Sequence, residues 1–187
     1  MATSTKELTA GAPSDRRSFH TIALVLGVAV LGGFAVLPRL ASFPGALIGK
    51  PAPDFVLPVV HNGDPGDKVQ MANLTGQAVV LSFWASWCGP CRAEAPSVDR
   101  LSRRLKDKGV TVLGVNTNDD PDKAVAFARQ KGLSFPIVSD EDGKVGASFG
   151  VSSLPTIVIV DKNGTVVAVR SGVTDESSLE SLALSAR

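Results

Sequence analysis

The sequence predicts a three-layer α/β domain, a mixed β-sheet with helices on its faces, preceded by one apolar segment that can cross a membrane. Three observations carry this. The run "QAVVLSFWA" (Gln77 to Ala85) is continuously β-branched and aromatic, as in a strand buried on both faces. Such runs alternate with helix-patterned segments until the chain closes on a hairpin and a last helix, which is the order of an α/β domain. From Ser18 to Leu37 there is no charged residue, and about 20 residues of helix match a hydrocarbon core of roughly 30 Å. At 187 residues, 44% hydrophobic and 20% charged, the chain has room for one core plus this appendage.

The elements follow in order. Residues 1–17 are rich in Ala, Ser and Thr without hydrophobic periodicity and are expected to be a disordered cytoplasmic N-terminus. Arg16 and Arg17 precede the apolar run, while Arg39 and Lys50 follow it more sparsely, so the positive-inside tendency puts everything after Pro38 outside the cytoplasm. A secretory signal peptide removed on export is the alternative. The run exceeds a usual signal core, and the small-residue site "GFA" (Gly33 to Ala35) lies inside it, which favours an uncleaved anchor over 18–37. A twin-arginine export signal is weaker still, because Asp15 stands where Ser or Thr would precede the pair. Residues 38–47, with two prolines, read as a tether, and the folded domain is expected over 48–187.

Within the domain, "PDFVLPVV" (Pro53 to Val60) predicts a strand ended by the turn "HNGDPGD". Arg92 to Lys108 carries Val98, Leu101 and Leu105 at helical spacing, with Pro96 expected to kink its first half. "GVTVLGVN" (Gly109 to Asn116) is a second buried strand, and Asp120 with Pro121 starts a helix that stops at Gly132. "FPIVSD" is a short strand, "GKVGASFG" a short helix or turn, and "PTIVIVDKNGTVVAVR" two strands around an Asn163-Gly164 turn. Thr174, Asp175 and Glu176 open the last helix, through Leu184.

Composition excludes several functions. Nineteen basic against 18 acidic residues, a net charge of +1, provide no field to hold nucleic acid. Two cysteines and two histidines are too few for a disulfide framework or a structural zinc site. The acidic stretches "NDDPD" (Asn118 to Asp122) and "DEDG" (Asp140 to Gly143) lack the ligand spacing of a calcium loop and read as a helix cap and a turn. His61 reads as surface decoration of a polar turn, and Trp84 as core packing. No cofactor or metal is expected.

The chemistry is concentrated in "FWASWCGPCRAE" (Phe83 to Glu94). Cys88 and Cys91 are separated by Gly89 and Pro90 at a strand-to-helix junction, a spacing that brings Cα atoms easily within disulfide range. Cys88, at the start of the helix, has the positive end of the dipole to favour its thiolate and is the expected nucleophile. Cys91, one turn in, is expected to be more buried and to resolve the mixed disulfide. Glu94 lies three residues after Cys91 on the same helix face, placed to take the proton of the resolving thiol, with desolvation holding its pKa up. The alternative is a solvated carboxylate that only complements the dipole.

"FWASWCGPC" resembles the active-site segment of thioredoxins, and "VSSLPTIVIV" resembles their loop ending in a cis-proline before a strand. "IGKPAPDF" (Ile48 to Phe55), the anchor, the extra strand and helix at 110–132 and "CRAEAP" together resemble the TlpA/ResA-like membrane-anchored thioredoxins, which include the disulfide reductases of cytochrome c maturation. The resemblance implies a thioredoxin-like fold with Cys88 and Cys91 as the redox pair. It also implies Trp87, Gly89 and Pro90 on the substrate-facing surface, Pro155 as the cis-proline, Leu154 and Thr156 offering backbone groups to an extended substrate, and Glu94 as the glutamate near the pair. Thioredoxin's buried aspartate is replaced here by Ser82.

The function expected is therefore an exported, membrane-tethered thiol-disulfide oxidoreductase that reduces protein disulfides, apocytochrome c among the candidate clients. Gly-Pro between the cysteines is the dipeptide of thioredoxin, which lies at the reducing end of the potential scale. Outside the cytoplasm such a reductant needs a transmembrane thiol electron donor. A peroxiredoxin is the first alternative; those enzymes place a proline and a threonine before the peroxidatic cysteine, where this chain has Ala85, Ser86 and Trp87. A copper-delivery module is the second, and it lacks here both the wider cysteine spacing and a histidine after His61.

Overall fold

The computed structural model describes residues 46–187. The expected anchor at 18–37 and nearly all of the tether lie outside the described residues, among which no helix is long and apolar enough to cross a membrane. The strands are β1 (Val56–His61), β2 (Lys68–Gln70), β3 (Ala78–Trp84), β4 (Val110–Thr117), β5 (Ile137–Asp140), β6 (Thr156–Val160) and β7 (Val166–Ser171). The helices are α1 (Gly89–Leu105), α2 (Pro121–Lys131), α3 (Lys144–Ser148) and α4 (Glu176–Ser185), with a 3₁₀ turn at Met71–Leu74.

The sheet runs in the order β2-β1-β5-β4-β3-β6-β7. β3, β4 and β5 are parallel, and the other neighbours pair antiparallel, so the sheet is mixed. β3 is buried along its whole length. Its side chains alternate between two cores: Val80 and Trp84 pack with Leu101 of α1, Phe127 of α2 and Leu179 of α4, while Leu81 and Phe83 pack on the other face with Phe55, Met71 and Phe149. A central strand that feeds two cores has no polar face, which is why its sequence reads as one unbroken apolar run.

Local chemistry sets the ends of the elements. Asp120 accepts from Asp122 N at 2.9 Å, and Gly132 leaves α2 in the left-handed region at φ 62°. Asp175 caps α4 by accepting from Ser178 N at 2.9 Å. In the β6–β7 hairpin, Asp161 Oδ1 accepts from Asn163 N at 2.9 Å and Thr165 N at 2.8 Å, and Gly164 takes φ 80°.

Three expectations need correction. The first strand starts at Val56 rather than Pro53, because Asp54 turns away to accept from Ala72 N at 2.9 Å and Gln70 Nε2 at 3.0 Å. The chain after "HNGDPGD" returns as β2 beside β1, a three-residue strand too short for a periodic signal. His61 ends β1, where its Nε2 lies 2.9 Å from Leu133 O; it ties the sheet to the segment after α2 and is not surface decoration. As expected, Cys88 stands at the head of α1 as its N-cap; the helix begins at Gly89 and runs past Pro96 to Leu105.

Candidate active site

The site forms where β3 delivers the chain to α1. Ala85–Cys88 makes a turn closed by Cys88 N donating to Ala85 O at 3.2 Å, and Cys88 adopts an extended conformation ahead of the first helical residue. Its Sγ accepts from Cys91 N at 3.2 Å, the place a capping oxygen takes in other helices. Gly89 and Pro90 are exposed and begin the helix, Pro90 where a missing N–H loses nothing. Cys88 and Cys91 are joined in a disulfide with Cα atoms 5.3 Å apart. Cys88 is 5% exposed and Cys91 2%, whereas Trp87 beside them is 64% exposed, with its Nε1 donating to Asn118 O at 3.0 Å.

Glu94 projects inward from the next turn and is only 3% exposed. Burial pushes its pKa above the ordinary value, and the Thr174 N–H, 2.9 Å from Oε1, partly offsets this by favouring the charged form. Glu94, Cys91, Ser82 and Trp84 line one narrow pocket of about 10 Å³, at the lower limit of what holds a single water. The carboxylate and the Cys91 sulfur therefore border the same narrow space. Ser82, paired in register with Gly114 and Ile157, brings no charge to it.

The Leu154–Pro155 peptide is cis and Pro155 is buried. Phe83 pairs with Thr156, which sets Pro155 at the level of Trp84, next to the turn that carries Cys88. Pro155 O accepts from Gly172 N at 2.8 Å. Thr156 is buried within β6 between Phe83 and Ser171, so of its flanking pair only Leu154 reaches the surface. There Leu154 and Trp87 border a cleft of about 240 Å³ that also involves Thr117, Asn118, Gly146 and Ala147 and has no charged residue in its lining. Among the described residues, no three of His, Cys, Asp and Glu are grouped to hold a metal ion.

One participant was not visible in the sequence. Asp119, read as part of an acidic helix cap, is 8% exposed and accepts from Ser86 N at 2.5 Å and Ser86 Oγ at 3.0 Å. A cap needs one aspartate, and Asp120 supplies it. A second aspartate two residues after a buried strand is the signal that was available.

The AhpC/TSA family model matches residues 48–169. The thiol-disulfide oxidoreductase ResA of Bacillus thuringiensis (strain Al Hakam) is 38% identical over 167 residues, which cover 89% of this chain and 94% of the relative. ResA of Geobacillus thermodenitrificans (strain NG80-2) is 32% identical over 166 residues, covering 89% and 93%. Among solved structures, a Chlorobium tepidum protein assigned as thiol:disulfide interchange protein DsbE matches with TM-score 0.68 and 35% identity, covering 74% of this chain and 96% of that one. A secreted thiol-disulfide isomerase from Corynebacterium glutamicum matches with TM-score 0.66 and 28% identity, covering 72% and 83%.

Proposed function

The chain belongs to the ResA-type thiol-disulfide oxidoreductases of the AhpC/TSA family, with their thioredoxin-like fold, and from that membership we propose that it is an exported, membrane-tethered reductant of protein disulfides. The observation that carries the reading is the Cys88–Cys91 disulfide at the start of α1 with a buried carboxylate, Glu94, one turn further on.

The reaction runs from the dithiol form. The Cys88 thiolate, favoured by the N–H groups at the head of α1, attacks one sulfur of the client disulfide. The client S–S bond breaks, a mixed disulfide forms at Cys88, and the expelled client sulfur takes up a proton. Cys91 then gives its proton to Glu94 and attacks Cys88 Sγ, and the second client sulfur leaves with the bonding pair and is protonated. Two electrons pass to the client, which departs as a dithiol, and the enzyme is left as the disulfide. The extended client segment lies across Trp87, Gly89, Pro90 and the Leu154–Pro155 peptide, with Leu154 rather than Thr156 as the accessible neighbour.

The setting is extracytoplasmic, with residues 18–37 as the anchor, 38–47 as the tether and 48–187 as the working domain. This rests on the uncharged run and on the arginine pair before it. Apocytochrome c is one client of suitable chemistry, since its haem-attachment thiols must be reduced, and a transmembrane thiol carrier re-reduces the enzyme. Cys91→Ser should stall the first step and accumulate a mixed disulfide at Cys88 that mass spectrometry identifies. In parallel, the dithiol wild type should reduce insulin disulfides. Failure of the wild type to reduce insulin, with no adduct trapped in the variant, would sink the reading.

A further inference from the structure

We infer that Asp119 is a positioning residue for Cys88, and that its charge also holds the Cys88/Cys91 couple towards the reducing end of its range. The inference rests on thiol exchange at Cys88 and adds to it a group outside the cysteine segment.

Asp119 Oδ2 accepts from Ser86 N at 2.5 Å and Asn116 Nδ2 at 2.8 Å, and Oδ1 accepts from Ser86 Oγ and Asp120 N, both at 3.0 Å. Two of those donors belong to the residue two positions before Cys88. The preceding residue, Asn118, adopts the left-handed φ of 50° that asparagine takes more readily than most residues, and its carbonyl accepts from Trp87 Nε1 at 3.0 Å. The β4–α2 loop thus grips both residues that lead into Cys88, from 31 to 33 positions away in the chain. An ordinary surface turn would not place a carboxylate under four donors.

The electrostatics follow from what is missing around that carboxylate. No ion pair among the described residues involves Asp119; its four donors are all neutral. At 8% exposure, solvent and salt screen it weakly. The nearest charged groups in the same loop and on α1 are Asp120, whose carboxylate turns to cap α2 and lies 3.9 Å from Lys123 Nζ, and Arg92 and Glu94. Arg92 shares Ser86 through its carbonyl, Nη1 to O at 3.5 Å, while its guanidinium lies 5.3 Å from the Phe127 ring centroid of α2; Glu94 is buried on the Cys91 side. The loop 151–156 carries no charged residue. A negative charge beside the turn opposes the Cys88 thiolate. Couples whose reduced form is stabilised are oxidants, so opposing the thiolate moves the couple the other way.

The test separates charge from mere support. Asp119→Asn keeps an acceptor for Ser86 and removes the charge. In the dithiol protein it should shift the pH midpoint of Cys88 alkylation by iodoacetamide downward by about half a unit, making alkylation below the midpoint about threefold faster. Equilibration with glutathione and its disulfide should shift towards the protein dithiol. Asp119→Glu, which restores the charge, should return both readouts towards wild type. Ser86→Ala, which removes one hydrogen bond and no charge, should lower the melting temperature and leave the midpoint in place. Should Asp119→Asn not fold, Asp119→Ser carries the same expectation. An unshifted or raised midpoint in the neutral variant, or a Glu variant that behaves like the Asn variant, overturns the inference. Wild-type insulin reduction is measured alongside, so a failure of the reductant reading is seen separately.

Discussion

Glu94 is a carboxylate held in a space with room for one water beside the inner thiol, and its proton has to be accounted for in folding as well as in exchange. Its folded pKa is raised above 4.5 by desolvation. The native state therefore binds that proton more tightly than the unfolded chain, and as pH rises from 4.5 through the raised value the native state loses stability relative to the unfolded one. Glu94→Gln removes the titration and keeps an acceptor for Thr174 N. Melting temperatures from about pH 4 to 8 should fall less steeply with pH in Glu94→Gln than in the wild type. The same variant should slow resolution of the mixed disulfide by about tenfold or more; equal rates from about pH 5 to 9 would remove Glu94 from the proton path. The placement of Glu94 beside Cys91 was legible from the i, i+3 spacing. Asp119 was not, because nothing within "NDDPD" says that its partner is Ser86, 33 residues earlier. Thr174, the donor that holds Glu94, is 80 residues away and equally hidden.

At the scale of elements, α1 is held by its inner face more than by its outer one. Leu101 and Leu105 are fully buried against the sheet. On the outer side, Arg100 and Arg104 pair with Glu176 of α4, but both arginines are about half exposed. Leu101→Ala should cost about 2–5 kcal/mol by leaving a cavity, and Glu176→Gln no more than about 1 kcal/mol. Urea unfolding compares the two directly, and the reverse ranking would mean that the ion pairs carry the helix. The elements that could be read from sequence are those with a local signature: the caps at Asp120 and Asp175, the left-handed Gly132, the turn at Gly164 and the unbroken apolar β3. β2 escaped because three residues hold no period, and His61 because its partner Leu133 O is 72 residues away. The strand order is a matter of such distant pairings, so alternation of elements implied a mixed sheet without implying that β1 sits beside β5.

For the whole molecule, the two apolar cores seen among the described residues are built from residues within 47–186. A chain beginning at Ala46 should therefore unfold cooperatively and reduce insulin within about twofold of the full-length protein. The anchor should add only location. Membranes carrying the full chain should retain it through alkaline carbonate washing, and release in that wash would remove the tether from the proposal. The two sheet faces also divide labour. α1, with both cysteines and Glu94, packs on one face, and Phe149 at the end of α3 helps fill the other. Leu154, which borders the cleft with Trp87, packs against both cores.

The recessed position of Cys88, 5% exposed beside a tryptophan that stands out at 64%, has a consequence for the choice of client. A sulfur set this deep is reached more readily by a segment that bends over the tryptophan than by a rigid bridge fixed within another folded domain. The enzyme in effect measures slack. A loosely folded chain presents its disulfide on a segment that bends to fit, while a bridge locked in a rigid domain has to open before it can be reached. Selectivity for immature clients can thus arise from depth alone, before any side chain of the client is recognised.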